Sequence, residues 1–145
     1  MKTFVIDSST CLKWIFDDEV DANKASDIQE LYVKSEINLV APDLWFYEII
    51  NGIKGVWLKR RSTSEKELTE KLLDLIRTQP NLMSISDIPE ECFKNSLKFN
   101  ISAYDSAYIT IALAHGLTLI TADDKLVKKV NDPKLAISLK EFKIS

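Results

Sequence analysis

Four acidic residues stand at positions where a carboxylate could do chemistry, and they are Asp7, Glu48, Asp105 and Asp123. The first of them ends the stretch "KTFVID", a strand-forming run that is followed directly by the hydroxyl residues "SST". A carboxylate at the end of a buried strand is costly unless something stabilises its charge. Carboxylates that converge at neutral pH also repel one another, and their pKa values rise unless cations intervene. The four acids therefore indicate a cation site.

The donor atoms indicate which cation it would be. Carboxylate oxygens without histidine or thiolate suit Mg²⁺ or Mn²⁺ rather than zinc. His115 is the only histidine and the two cysteines form no CxxC pair, so a zinc site or a Ser-His-Asp triad lacks material. Carboxylate-bound ions commonly activate water and stabilise the leaving oxygen in phosphoryl chemistry. We expect such a site here, with Ser8 or Ser9 orienting a ligand or a water beside Asp7.

Asp105, and Asp124 beside Asp123, also have an ordinary structural interpretation. Asp105 follows Ser102 with capping-box spacing, so it could simply favour the start of a helix. Asp124 lies three residues after Thr121 and could be the partner in a helix cap. We therefore assign Asp123 to the site and Asp124 to the cap.

Glu48 lies in the apolar stretch "DLWFYEIINGI" and needs a polar neighbourhood. Its neighbours on the same helix face are Asn51, Gly52 and Gly55. Two glycines weaken a helix by about 1 kcal/mol each relative to alanine. We interpret this face as one that another group approaches closely, with a tolerated surface glycine as the alternative.

Hydrophobic periodicity predicts alternating strands and helices that would position these acids. Strands are predicted at Lys2 to Ile6 and at "INLVAP", "NLMSIS", "LTLIT" and "LAISL". Helices are predicted from Ser9 to Phe16, about Asp21 to Lys34, Asp43 to about Arg61, Ser64 onward, Pro89 to about Phe99, Ser102 to His115 and Asp123 to Val130. This order predicts an α/β fold with a central parallel sheet of four to five strands and helices on both faces. The carboxyl ends of such strands share one edge, where Asp7 and Asp123 should meet.

The composition sets outer bounds on the protein. A chain of 145 residues with 46% hydrophobic and 28% charged content predicts one domain over residues 1–145. No apolar run is long enough for a membrane span and no signal peptide is evident, so a cytoplasmic protein is expected. Cys11 and Cys92 are expected to be small core residues. The formal charge of −3 becomes +1 once four metal ligands are set aside, so phosphate substrates are not excluded.

The ordered set "VIDSST", "YEIIN", "SAYDSAYITIALAHG" and "LTLITADDKL" resembles that of PIN-domain ribonucleases of the VapC toxin type. The resemblance covers essentially the whole chain and implies a PIN-like fold. It implies that Asp7, Glu48, Asp105 and Asp123 are the catalytic acids that hold Mg²⁺ or Mn²⁺. The ordered set is more specific than any of its motifs alone.

The resemblance also implies roles for neighbouring residues and partners. Ser9 and Thr121 would be hydroxyls that support the metal site, and Asn51 would pack or hydrogen-bond near it. The three consecutive hydroxyl residues leave open whether Ser8 or Ser9 is the supporting serine. The implied activity is endoribonucleolytic cleavage leaving 5′-phosphate and 3′-hydroxyl ends, with tRNA and rRNA as candidate substrates. The implied partners are a second copy in a homodimer and a small VapB-type antitoxin in the active-site groove.

Basic and aromatic residues offer candidate RNA contacts. Among the lysines of "KLVKK", we select Lys125, Lys128 and Lys129 because they follow Asp123 directly. The cluster "KRR" at Lys59 to Arg61 is a weaker candidate. Some aromatic residues could stack on bases, but helical periodicity favours a place in the core or a dimer interface for most of them. These residues are Trp14, Phe16, Trp45, Phe46, Tyr47 and Trp57, and the same two interpretations apply to Tyr104 and Tyr108.

Other functions remain as alternatives. A phosphoacceptor domain also groups acids and magnesium at a sheet edge, but it resembles a pattern with an adjacent acid pair after the first strand, and this chain has "DSS". A PIN-like module that binds RNA or protein without cleaving is a second alternative. A PIN-domain nuclease that processes RNA without being a toxin is a third.

Overall fold

The structure, a computed structural model, describes residues 1–144, in which strands and helices alternate. The strands are β1 (Lys2–Ile6), β2 (Ile37–Pro42), β3 (Asn81–Met83), β4 (Leu119–Thr121) and β5 (Ala136–Ser138). The helices are α1 (Ser8–Leu12), α2 (Ala22–Val33), α3 (Trp45–Lys59), α4 (Glu65–Arg77), α5 (Pro89–Phe99), α6 (Ala103–His115) and α7 (Asp124–Val130), and a 3-10 helix follows at Leu139–Glu141.

The described strands form one parallel sheet in the order β3-β2-β1-β4-β5. The chain runs outward from β1 to β3, returns through α5 and α6 to the other side of β1, and continues to β5. Right-handed crossovers that reverse direction in this way place helices on both faces of the sheet. The predicted α/β architecture is therefore confirmed, with five strands.

Local sequence signals predict several element ends correctly, whereas α1 ends at Leu12 rather than Phe16 and β3 to β5 are shorter than predicted. Ser64 caps α4 by accepting from the backbone N–H of Glu67 at 3.1 Å, and Pro89 opens α5. Gly116 ends α6 in the left-handed conformation at φ 63°, as expected for a C-terminal glycine. The prediction that Asp43 is the N-cap of α3 is wrong, because the helix begins one residue later, with Leu44 in the cap position.

The core surrounds the sheet and is built from fully buried aliphatic side chains such as Ile6, Leu39 and Ile120. Cys11 and Cys92 are free and buried, which confirms the prediction that both are small core residues. Across residues 1–144, no helix combines the length and the apolarity that crossing a membrane requires.

The two glycines on the Glu48 face of α3 have different environments. A Cβ atom on Gly52 would lie 2.3 Å from Leu12 Cδ1, so the group that approaches this face is α1 of the same chain. A Cβ atom on Gly55 would meet nothing within 4 Å. The interpretation as a closely approached face is therefore right for Gly52, and Gly55 is a tolerated surface glycine.

We expect Gly55→Ala to raise the unfolding free energy by about 1 kcal/mol, because alanine stabilises a helix relative to glycine and no atom obstructs it. The melting temperature should rise by about 3 °C. Gly52→Ala is the matched control, in which Leu12 must move and the gain should be lost. Equal thermal shifts for the two variants would contradict this account of the close approach.

Candidate active site

The site lies at the edge of the sheet where the parallel strands end. β1 pairs with β4 so that Ile6 lies opposite Ile120, and the next residues, Asp7 and Thr121, are therefore neighbours. The crossovers leave β1 and β4 in opposite directions at this point, which opens a crevice between the two strand ends. Asp7 and Asp123 both follow strands that border this crevice.

Asp7 is a buried carboxylate with four hydrogen-bond donors around it. Its Oδ1 accepts from Ser9 Oγ at 2.8 Å, from the Thr10 backbone N–H at 3.1 Å and from Thr10 Oγ1 at 3.0 Å. Its Oδ2 accepts from Thr121 Oγ1. Asp7 is thereby the N-cap of α1, which holds its side chain in one orientation.

Burial raises the pKa of Asp7 above its ordinary value, and the hydrogen bonds from Thr121, Ser9 and Thr10 oppose that rise. The carboxylate is 7% exposed and no cationic side chain contributes to the shift. A negative charge held here costs free energy that a bound cation would offset.

Glu48 projects from the first turn of α3 and is partly buried. Its Oε1 accepts from Tyr108 Oη at 2.7 Å and from Ser8 Oγ at 3.3 Å. Burial raises the pKa of Glu48, and the negative charges of Asp7 and Asp105 raise it further. The charge of Glu48 therefore interacts with the charges of two other acids.

Asp105 and Asp123 complete the set from two helix starts. The Asp105 backbone N–H donates to Ser102 Oγ at 3.1 Å, which confirms Ser102 as the N-cap of α6. Burial raises the pKa of Asp105, the charge of Asp123 raises it further, and the charge of Lys129 lowers it. Structural and electrostatic roles thus coexist at Asp105.

The doublet after β4 separates into two environments. Asp123, not Asp124, is the N-cap of α7, since its Oδ1 accepts from the backbone N–H groups of Lys125 at 3.0 Å and Leu126 at 3.2 Å. Asp124 instead accepts from Ser138 Oγ at 2.8 Å and Lys140 Nζ at 3.1 Å. The prediction that Asp124 is the cap partner is therefore wrong, although its side chain does bond to the β5 end of the sheet.

The charges of the four acids interact in sequence, Asp7 with Glu48, Glu48 with Asp105 and Asp105 with Asp123, and the set is called the row of acids below. Within residues 1–144, no three acid, histidine or cysteine side chains are close enough together to form a metal cage as they stand. The donor set nevertheless fits a hard divalent ion, because all four side chains offer oxygen atoms. Repulsion among the four negative charges is a second reason to expect a cation here, since a bound cation would reduce it.

The supporting residues differ in what they touch. Ser9 and Thr121 contact Asp7, and Ser8 contacts Glu48, so each of the two serines holds a different acid. Asn51 is exposed and lines a cavity with Glu48. Among the selected lysines, the charge of Lys129 lowers the pKa of Asp105, and the charge of Lys128 lowers the pKa of Asp124.

Two contacts to the acids were absent from the sequence-based predictions. Tyr108 holds Glu48, and Thr10 holds Asp7 through both its N–H and its hydroxyl group. Two spacings could have indicated these residues. Tyr108 lies three residues after Asp105 and so shares its helix face. Thr10 lies three residues after Asp7, which is the spacing of an N-cap and the residue that donates to it. The partner of the tyrosine, 60 positions away, left no signal of this kind.

Two cavities flank α3. One, of about 350 Å³, is lined by Leu44, Tyr47, Glu48, Asn51 and Tyr104. The other, of about 360 Å³, lies between α3 and α4 and contains none of the four acids. The first cavity is therefore the one that adjoins the row of acids.

Comparison with known families decides the classification. The family model for the PIN domain matches residues 4–132. The chain belongs to the PIN domain family. PIN domains are nucleases, which hydrolyse phosphodiester bonds. The match confirms the PIN domain family that the motifs predict.

Solved structures show where this PIN domain has relatives in fold. It is similar to PAE2754 from Pyrobaculum aerophilum, with a TM-score of 0.66 and 18% identity over 96% of this chain and 92% of that one. It is also similar to a toxin-antitoxin complex from Klebsiella pneumoniae, with a TM-score of 0.60 and 17% identity over 96% of this chain and 99% of that one. For VapBC2 from Rickettsia felis, bound to a DNA fragment from its promoter, the TM-score is 0.61 and the identity is 16% over 94% of this chain and 98% of that one. No curated protein sequence matches the chain.

We expect Tyr108→Phe to weaken the PIN domain's Mn²⁺ affinity and its cleavage rate about tenfold, because the phenol orients Glu48. The ring is 2% exposed and phenylalanine preserves its packing, so only the hydroxyl is lost. Titration of Mn²⁺ by calorimetry, followed by kinetics, measures both effects. Ser8→Ala is the control, because the hydrogen bond from Ser8 to Glu48 is longer than the one from Tyr108. Its losses of Mn²⁺ affinity and cleavage rate should be smaller. Larger losses in Ser8→Ala than in Tyr108→Phe would contradict the role of Tyr108.

Proposed function

We propose that this PIN domain is a divalent-metal-dependent endoribonuclease of the VapC toxin type. The observation that carries the proposal is the row of four acids at the reversal point of the sheet, in a chain of a nuclease family. A buried carboxylate with no cationic partner is costly for the fold and is kept more readily for function than for stability.

Asp7, Glu48, Asp105 and Asp123 would hold Mg²⁺ or Mn²⁺. When bound, the ion supplies a water activated for attack on a phosphodiester and stabilisation of the charge on the leaving oxygen. Because no three acids within residues 1–144 are close enough as they stand, sharing an ion requires their side chains to change rotamer.

The remaining residues of the site hold the acids and the substrate. Ser9, Thr10 and Thr121 orient Asp7, while Tyr108 and Ser8 orient Glu48. Lys125, Lys128 and Lys129 follow Asp123 on α7 and would contact the RNA backbone. Lys129 is the strongest candidate of the three, because its charge lowers the pKa of Asp105.

The proposed partners are a VapB-type antitoxin and a second copy of the chain, with tRNA or rRNA as substrate in the cytoplasm. Support for the antitoxin comes from the likeness in fold to the toxin-antitoxin complex of Klebsiella pneumoniae and to VapBC2 of Rickettsia felis. Sedimentation of the purified chain would test the dimer. Growth arrest on expression, relieved by co-expression of the antitoxin, would test the toxin role.

The decisive experiment is cleavage of a folded RNA pool with Mn²⁺ or Mg²⁺, with and without chelator, by the wild type and by Asp105→Asn. We expect cleavage that needs the metal and that the variant loses. Mapped 5′-phosphate ends would then identify the substrate. Metal binding without cleavage of any RNA would refute the nuclease and favour a module that only binds.

A further inference from the structure

We propose that the cavity beside Glu48 receives an unpaired nucleobase of the RNA substrate, stacked against Tyr47 and Tyr104. This inference rests on the proposed function, and it names the part of the substrate that would lie next to the row of acids.

The cavity adjoins the acids directly, because Glu48 belongs to both. Leu44, Tyr47 and Asn51 line it from the start of α3, and Tyr104 lines it from the first turn of α6, next to Asp105. Its volume of about 350 Å³ is in the range of small-ligand sites. An RNA strand whose phosphate lies at the acids would carry a neighbouring base within reach of this cavity.

The two tyrosines have no packing role that would explain them. Tyr47 is 74% exposed and Tyr104 is 66% exposed, whereas Trp45 and Tyr108 on the same two helices are 0% and 2% exposed. Leaving large rings in water forgoes the free energy that their burial would supply. Aromatic rings exposed beside a cleft provide the stacking surfaces on which proteins bind the bases of single-stranded RNA.

The polar lining favours a base over a phosphate. The carboxylate of Glu48 would repel a phosphate group inside the cavity, whereas a base is uncharged. The exposed amide of Asn51 offers both a donor and an acceptor to the edge of a base. The base must be unpaired, because in a duplex its faces are covered by neighbouring bases. The substrate class is therefore a single-stranded segment or loop.

The test measures RNA binding apart from cleavage. A short fluorescein-labelled single-stranded RNA and an abasic strand of the same length are titrated with protein in the presence of chelator, and anisotropy reports the Kd. Tyr47→Ala and Tyr104→Ala should each raise the Kd for the RNA about tenfold and leave the Kd for the abasic strand unchanged. Tyr47→Phe and Tyr104→Phe, which keep the ring, should bind like the wild type.

Phe93→Ala is the matched control, since Phe93 is an aromatic residue on α5 that is 63% exposed and does not line the cavity. It should leave both Kd values unchanged. Because both tyrosines are proposed to contact the same base, the rise in Kd of the double alanine variant should be smaller than the product of the two single rises.

Two results would overturn the base site. One is a pair of alanine variants that bind the RNA as tightly as the wild type, in which case the rings face another partner, such as a protein. The other is an equal loss for the RNA and the abasic strand. Cleavage assays keep the two proposals separate: a wild type that binds through the tyrosines but cleaves no RNA refutes the nuclease alone.

Discussion

Asp7→Asn is expected to lower kcat/KM for RNA cleavage at least about a hundredfold and, without metal, to make the protein more stable. The carboxylate is 7% exposed, and burial raises its pKa, so keeping it ionised at neutral pH costs folding free energy. Asparagine has the same size and can still accept from Ser9 and Thr10 through Oδ1, while its Nδ2 group cannot accept the hydrogen bond that Thr121 donates to Oδ2 in the wild type. With chelator at pH 7, the variant should gain about 1 kcal/mol in unfolding free energy, or about 3 °C in melting temperature.

The pH dependence has a definite sign. A carboxyl group whose pKa is raised by folding favours the folded state at low pH and loses that contribution as the pH rises through its folded value. The stability advantage of Asp7→Asn should therefore shrink as the pH falls toward the ordinary carboxyl value of 3.8. Thermal unfolding in chelator across this range measures the difference.

Metal should reverse the order of stability. Mn²⁺ at one hundred times its Kd would stabilise the wild type by about 2.7 kcal/mol, and the variant should gain much less. Its kcat/KM for RNA should fall at least about a hundredfold, the size of loss seen when one group that stabilises a transition state is removed. A variant that cleaves normally, or that is less stable than the wild type in chelator, would contradict the assignment of Asp7.

Asp123→Asn and Asp124→Asn are expected to differ sharply, although the two residues are adjacent. Asparagine is as good an N-cap as aspartate, so Asp123→Asn should keep α7 intact while removing the negative charge next to Asp105. We expect kcat/KM to fall at least about a hundredfold with little change in melting temperature.

Asp124→Asn is the matched control for that loss. It weakens an exposed ion pair with Lys140 at the end of β5 and leaves the row of acids unchanged. Cleavage should stay within about twofold of the wild type, since exposed ion pairs contribute little. Loss of activity in Asp124→Asn alone would move the metal ligand by one residue and overturn the assignment.

The fold could be predicted from the sequence wherever the signal is local. β1 and β2 have the predicted bounds, because apolar strand formers stop at a polar residue or at proline. Ser64, Ser102 and Gly116 mark helix ends as expected, since a cap depends on residues within one turn. Asp7 and Glu48 could be selected as candidates because a carboxylate at the end of a buried strand and one in an apolar helix are unusual, whereas Asp105 by itself is an ordinary acid at a helix start.

Only the tertiary structure decided which groups hold the acids. The resemblance implied Thr121 as a supporting hydroxyl, but only the pairing of β4 with β1 shows that its partner is Asp7, 114 positions away. Tyr108 contacts Glu48 because α6 lies beside α3. The position of Leu12 against Gly52 depends likewise on how α1 packs on α3. The sequence by itself determined the types and order of the chemical groups, since periodicity and capping act over a few residues. Their contacts depend on sheet order and helix packing, which arise from burial of the whole chain and leave no short-range pattern.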